Sequence, residues 1–164
     1  MIEIRHNKSG EVFLQMEGES LENANLMGAY LIHAYLAGAN LASAKMAFAN
    51  LSGATLTRAN LSHANLYGAN LTEADFTGTD FSGVNLAGAT FSLTVLSDCR
   101  NLHRAKGLAA MHHPNPSSLD ENTLRASVAL LPDAFLRGAG YTRSEIVYLR
   151  KLYPAGPDAE QANG

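Results

Sequence analysis

At 164 residues the chain has the length of one domain, or of one domain with a cap, and with no tryptophan and only 7% aromatic residues it lacks the mixed large side chains of an irregular core. Twelve basic against fifteen acidic residues leave a formal net charge of −3, too small to predict a nucleic-acid or membrane partner. Cys99 stands alone, which excludes an intrachain disulfide framework, and no run of about 18 apolar residues is present to form a membrane-spanning helix.

The N-terminus, Met1 to His6, carries charge and no apolar stretch, so no secretory leader is expected and a cytoplasmic location is predicted. Residues 2–18 read as a β-hairpin: Ile2 and Ile4 alternate with Glu3 and Arg5, Asn7-Lys8-Ser9-Gly10 supplies turn chemistry, and Val12, Leu14 and Met16 alternate on the return. Residues 1–18 are therefore assigned as an N-terminal cap.

From Leu21 to Leu96 every fifth residue is large and apolar: Leu, Met46, or Phe at positions 76, 81 and 91. The residue two places earlier is alanine without exception from Ala24 to Ala74. A period of five fits neither a helix nor a flat strand. It fits a chain that turns a corner every five residues and points two side chains inward on each side. Asparagine precedes the centre at Asn25, Asn40, Asn50, Asn60, Asn65, Asn70 and Asn85, which predicts amide ladders or bonds to turn backbone. Where the alanine position enlarges, at Thr79, Val84 and Thr94, a wider or less regular last coil is expected.

Units such as Ala39-Asn40-Leu41-Ala42-Ser43 and Ala64-Asn65-Leu66-Tyr67-Gly68 closely resemble the A(D/N)LXX repeats of the pentapeptide-repeat family. The resemblance runs over sixteen tandem units, about half the chain. It implies an all-β fold, a right-handed quadrilateral β-helix solenoid, here with four coils over residues 19–98. Residue i then lies over residue i+20, with coils at about the 4.8 Å strand spacing.

The register breaks near Cys99. Residues 99–118, with the Pro-rich stretch after His112-His113, are expected to form an irregular end and linker. Residues 119–153 are expected to be a small α-helical subdomain, with a capping box at Ser118 and Glu121 for the first helix and at Thr142 and Glu145 for the second. In the second helix Ile146, Leu149 and Leu152 form an apolar face that serves either as an edge cap or as a homodimer contact. The tail, 154–164, is expected to be disordered.

No constellation for catalysis appears, and no cofactor or metal is expected. His33 and His63 belong to different sides, and Cys99 with His103 lacks the ligand spacing of a zinc site. The exterior does carry apolar groups. Met27, Phe48 and Tyr67 fall on one side and are the candidate partner-binding residues, Phe48 standing in a column between Gly28 and Gly68. Tyr30, Ile32 and Tyr35 on the first coil are expected to be shielded by the hairpin, and Leu93 and Val95 on the last to be covered by the helices.

The expected function is a non-enzymatic scaffold for protein–protein interaction. The alternative that the resemblance offers is the quinolone-resistance type, whose members mimic B-DNA and act on gyrase. Duplex DNA carries one charge per about 1.7 Å, so a mimic of about 19 Å requires about eleven negative charges. Residues 19–98 hold six acidic and two basic side chains, a net −4.

Overall fold

The computed structural model describes residues 1–18 and 20–155. Of the tail expected to be disordered, residues 156–164 lie outside the described residues.

The period of five has a backbone cause. Every fifth residue from Asn23 to Asp98 has a positive φ, between 51° and 72°, so the chain turns at each one. Seven of these sixteen corners are glycine, which adopts that conformation without a steric penalty. At the first fourteen corners the carbonyl of the central residue accepts from the N–H three residues on, as in Ala64 N–H to the Leu61 carbonyl at 2.8 Å. The segments between corners form parallel bridges to the next coil. These recur at every fifth residue from Asn25↔Lys45 to Asp80↔Arg100, each with an offset of twenty. Four bridges per twenty residues make a repeat β-helix. Its sides are too short to count as strands, except β3 (Ala34–Tyr35) and β4 (Val95–Leu96).

The sixteen central side chains are all buried and belong to one continuous core. Removing each from water contributes roughly 1.5–3 kcal/mol. The alanines two places earlier are buried beside them, save for Ala29 and Ala39, which are partly covered. Coil four keeps the offset of twenty from coil three despite its larger residues, but the expected loss of regularity shows at its last two corners, where Thr94 N–H makes no bond to the Phe91 carbonyl and Cys99 N–H donates to Thr123 Oγ1 in place of the Leu96 carbonyl. The larger polar residues are accommodated by hydrogen bonding: Thr79 and Thr94 donate their buried hydroxyls to the carbonyls of Leu56 and Leu71 at 2.8 and 3.0 Å.

The N-terminal hairpin pairs β1 (Ile2–His6) with β2 (Val12–Met16), and β1 then pairs antiparallel with β3, through Arg5↔Tyr35 and His6↔Ala34. The hairpin thus continues the first coil's open edge, with Ile4 buried in the shared core. It does not shield the first coil's outer groups: Tyr30 and Tyr35 remain exposed.

Residues 99–118 correct the expectation of an irregular end and linker. They form a further coil with extra residues at successive sides, so the offset grows from twenty at Asp80↔Arg100 to twenty-one at Asn85↔Lys106, twenty-two at Thr90↔His112 and twenty-three at Val95↔Ser118, the last within a parallel pair of β4 and β5 (Ser118–Leu119). Asn101 and Gly107, both at positive φ, precede short 3-10 turns at Leu102–Arg104 and Leu108–Ala110 that absorb the insertions and keep Leu102 and Leu108 buried.

Three helices close this end. α1 (Glu121–Ser127) starts at Asp120, whose side chain accepts from Thr123 N–H at 2.9 Å, so the cap is Asp120 and not the expected Ser118. α2 (Asp133–Gly138) follows Pro132, and α3 (Arg143–Leu152) opens with the expected Thr142–Glu145 capping box. Val128, Leu131, Phe135, Leu136 and Ile146 join the solenoid core, although Leu93 on coil four stays exposed.

Candidate functional site

The twenty-residue register sorts exterior residues into sides. On the second side one outward column reads Met27, Ala47, Tyr67, Ala87 and the next reads Gly28, Phe48, Gly68, Gly88. Neither column contains an ionisable group other than the phenol of Tyr67; Lys45 and Lys106 stand in the adjoining column with Asn25, Asn65 and Asn85. Ala109 and Ala110 carry the small-residue surface into coil five, an extension hidden from sequence reading by the insertions.

Phe48 and Tyr67 meet edge to face, with ring centroids 5.3 Å apart and planes at 88°. Phe48 is 62% exposed and Tyr67 46%. Met27 is 64% exposed and shares Tyr67's column, with Ala47 between them. Phe48 sits at a corner, φ 61°, and its ring leans over the next coil. A Cβ added at Gly68 would stand 2.8 Å from the ring. The same pairing recurs at His33 over Gly53, Arg58 over Gly78 and His63 over Gly83. A long corner side chain is thus seated on a glycine one coil on. Nine of the sixteen corners are further fixed by an Asn or Asp directly before the central residue: Asn65 Oδ1 accepts from Tyr67 N–H at 3.1 Å, Asn50, Asn70, Asp75 and Asp80 do the same for Ser52, Thr72, Thr77 and Ser82, and Asn25, Asn40, Asn60 and Asn85 repeat the bond.

Amide ladders form where Asn60 donates to Asn40 at 3.2 Å and Asn85 to Asn65 at 3.1 Å. Asn50 and Asn70 make no such bond to each other among the described contacts. Asp80 is held below the usual carboxylate range: partial burial opposes ionisation, but bonds from Asn101 and Ser82 and the nearby Arg100 outweigh it. The acidic groups are dispersed by the register, Glu22 and Asp80 on the first side, Glu73 on the third, Asp75 and Asp98 on the fourth.

On α3 the predicted face divides. Ile146 is 1% exposed, Leu149 is half-buried against the core, and Leu152 is 49% exposed, with Val147 and Tyr148 also facing solvent. Cys99 is buried and donates to the Phe76 carbonyl at 3.3 Å; burial, with Asp120 nearby, pushes its thiol up to about 12. His103 rests on the Ser127 hydroxyl at 3.3 Å. Among the described residues no three His, Cys, Asp or Glu side chains gather as metal ligands would.

With the twenty-residue ladder established, the comparisons are consistent with it. The family model for pentapeptide repeats (8 copies) matches residues 24–62 and 59–98. Residues 24–98 are thus a run of pentapeptide repeats. Among solved structures it is similar to a pentapeptide repeat protein, Rfr23, from the cyanobacterium Cyanothece 51142 (28% identity over 60% of this chain and 61% of that one, TM-score 0.46). It is also similar to a pentapeptide repeat protein from the Arabidopsis thaliana thylakoid lumen (24% identity, 88% and 82%, TM-score 0.41) and to QnrB1, a plasmid-mediated fluoroquinolone resistance protein (19% identity, 60% and 56%, TM-score 0.29). The chain thus spans about three-fifths of the length of the cyanobacterial protein and of QnrB1. No curated protein matches the chain.

Proposed function

We propose that this pentapeptide-repeat scaffold is a cytoplasmic, non-enzymatic docking protein whose coils form a right-handed, four-sided β-helix and whose second side receives the apolar surface of a protein partner. The observation that carries the reading is the Phe48–Tyr67 pair, exposed and mutually braced in two columns otherwise built from alanine, glycine and Met27. An aromatic pair already fixed against Gly68 loses little rotamer freedom on binding, so its burial converts more fully into affinity. The absence of carboxylates from these two columns favours an uncharged apolar patch on the partner over a basic one.

The test is site-specific crosslinking with a photoreactive side chain at position 67, in wild type and in Phe48→Ala. The expected result is a discrete crosslinked species that Phe48→Ala abolishes and that Glu73→Ala, on another side, leaves unchanged. An undiminished species in Phe48→Ala would refute the docking site. The topoisomerase-directed reading predicts instead an effect in a supercoiling assay that disappears on neutralising Glu73, Asp75 and Asp80. Their dispersal over three sides of the coil speaks against it.

The C-terminal helices have a capping role through Ile146, and any homodimer contact falls to the outer face of α3, at Leu152. Removing residues 119–164 separates the two roles. Loss of solubility with a full-length chain that sediments as a monomer supports the cap alone.

A further inference from the structure

We propose that His113 is an acid-released clasp: its neutral ring joins the last coil of the solenoid to α2, and its protonation undocks α2 and α3 from that end. The Thr90↔His112 bridge places His113 where the register puts a central apolar residue, next to Phe91. Its ring meets Phe91 edge to face at 6.2 Å and Phe135 of α2 at 5.4 Å. On the helix side it fills the space left by the missing side chain of Gly138, where an added Cβ would collide with the ring. Both ring nitrogens are sealed from solvent, and neither has a hydrogen-bond partner among the described residues. A neutral imidazole tolerates this apolar seat at the cost of one unsatisfied donor and one acceptor. An imidazolium would place a full charge and two unsatisfied donors there.

The surroundings offer no counter-charge. On its own segment the neighbour is His112, which repels a second positive charge. The third side of coil four presents Thr90, Phe91 and Ser92, and the 3-10 turn Leu108–Ala110 packed on α2 has no ionisable group. On α2 the charged residues are Asp133 and Arg137, 3.9 Å apart, and Asp133 is also engaged by Arg150 of α3 at 2.7 Å. Burial first, and His112 second, hold the pKa of His113 below the ordinary histidine value. A histidine depressed in the folded state contributes fully above its unfolded pKa of about 6.5, and its contribution falls as pH drops below that until the folded value is passed.

The experiment is hydrogen exchange of the full chain from pH 8 to pH 5, corrected for intrinsic rates. Opening of α2 and α3 is expected to rise by about tenfold per pH unit below about 6.5, while amides of residues 41–96 keep their protection. The caps Asp120 and Glu145, both held below their usual carboxylate values, titrate only at more acid pH. His103 is a second depressed histidine, set against α1, so the decisive comparison is His113→Phe, which leaves it in place. That variant keeps the edge contacts and is expected to remove the slope. An equal slope in His113→Phe, or equal opening of residues 41–96, would overturn the proposal. If His113→Phe does not fold, a wild-type imidazole titration decides: a midpoint at about 6.5 with α2 still docked refutes it, and a lower midpoint coinciding with α2 release supports it.

Discussion

A leucine in the centre of each side and an alanine two places before it divide one interior between them. Leu61, fully buried in the third coil, is expected to cost about 2–5 kcal/mol when replaced by alanine, measured by denaturant unfolding. The reverse error, Ala59→Leu, drives three extra carbons into a buried position beside the central leucines and is expected to cost about 1–3 kcal/mol. Corner glycines act by a different route. Gly28 and Gly68 have nearly the same positive φ, but a Cβ at Gly28 meets nothing within 4 Å while one at Gly68 meets Phe48. Gly68→Ala is therefore expected to destabilise more than Gly28→Ala, and the difference should vanish in a Phe48→Ala background. Cys99, buried and bonded to the Phe76 carbonyl, is expected to resist alkylation in the native state and to react once the chain is unfolded.

At the level of elements, each end of the solenoid solves the same problem differently. The first coil would leave unpaired backbone groups at its edge, and the antiparallel pairing of β1 with β3 continues the sheet over part of it. The last coil is closed by side chains as well as by packing. Asp120 accepts from Asp98 N–H at 3.1 Å, and Thr123 accepts from Cys99 N–H and donates to the Leu96 carbonyl, both at 3.0 Å. Asp120 thus serves both α1 and the coil edge. Asp120→Ala is expected to cost at least the roughly 0.5–2 kcal/mol of a lost N-cap, with amides near Cys99 losing protection in hydrogen exchange. Its carboxyl is held below the ordinary value: slight burial opposes ionisation, but Thr123 and the Asp98 backbone outweigh it. The capping stabilisation is present above about pH 4 and is lost as pH falls through the lower folded value.

For the whole molecule, the period of five was legible because one backbone conformation recurs at every corner and admits only an inward pair and an outward pair of positions between corners. Phe48 and Tyr67 were legible as neighbours for the same reason: residues nineteen apart lie diagonally on adjacent coils when twenty residues make a turn. Coil five was not legible. Its Leu102 and Leu108 are six apart, a spacing that breaks the period yet still keeps both side chains inward once the 3-10 turns take up the surplus. His113 was hidden by the same shift, since its central position exists only after two insertions have been counted.

Local sequence by itself determined the coil, because corner conformation, inward alanine and central leucine are all set within five residues and merely repeated. Tertiary structure alone decided how the coil ends: which residues the final turn loops out, which backbone groups of the coil the Asp120 and Thr123 side chains reach, and which glycine of α2 receives the His113 ring. Those choices join residues more than twenty apart whose spacing follows no repeat, so only the packed chain brings them together.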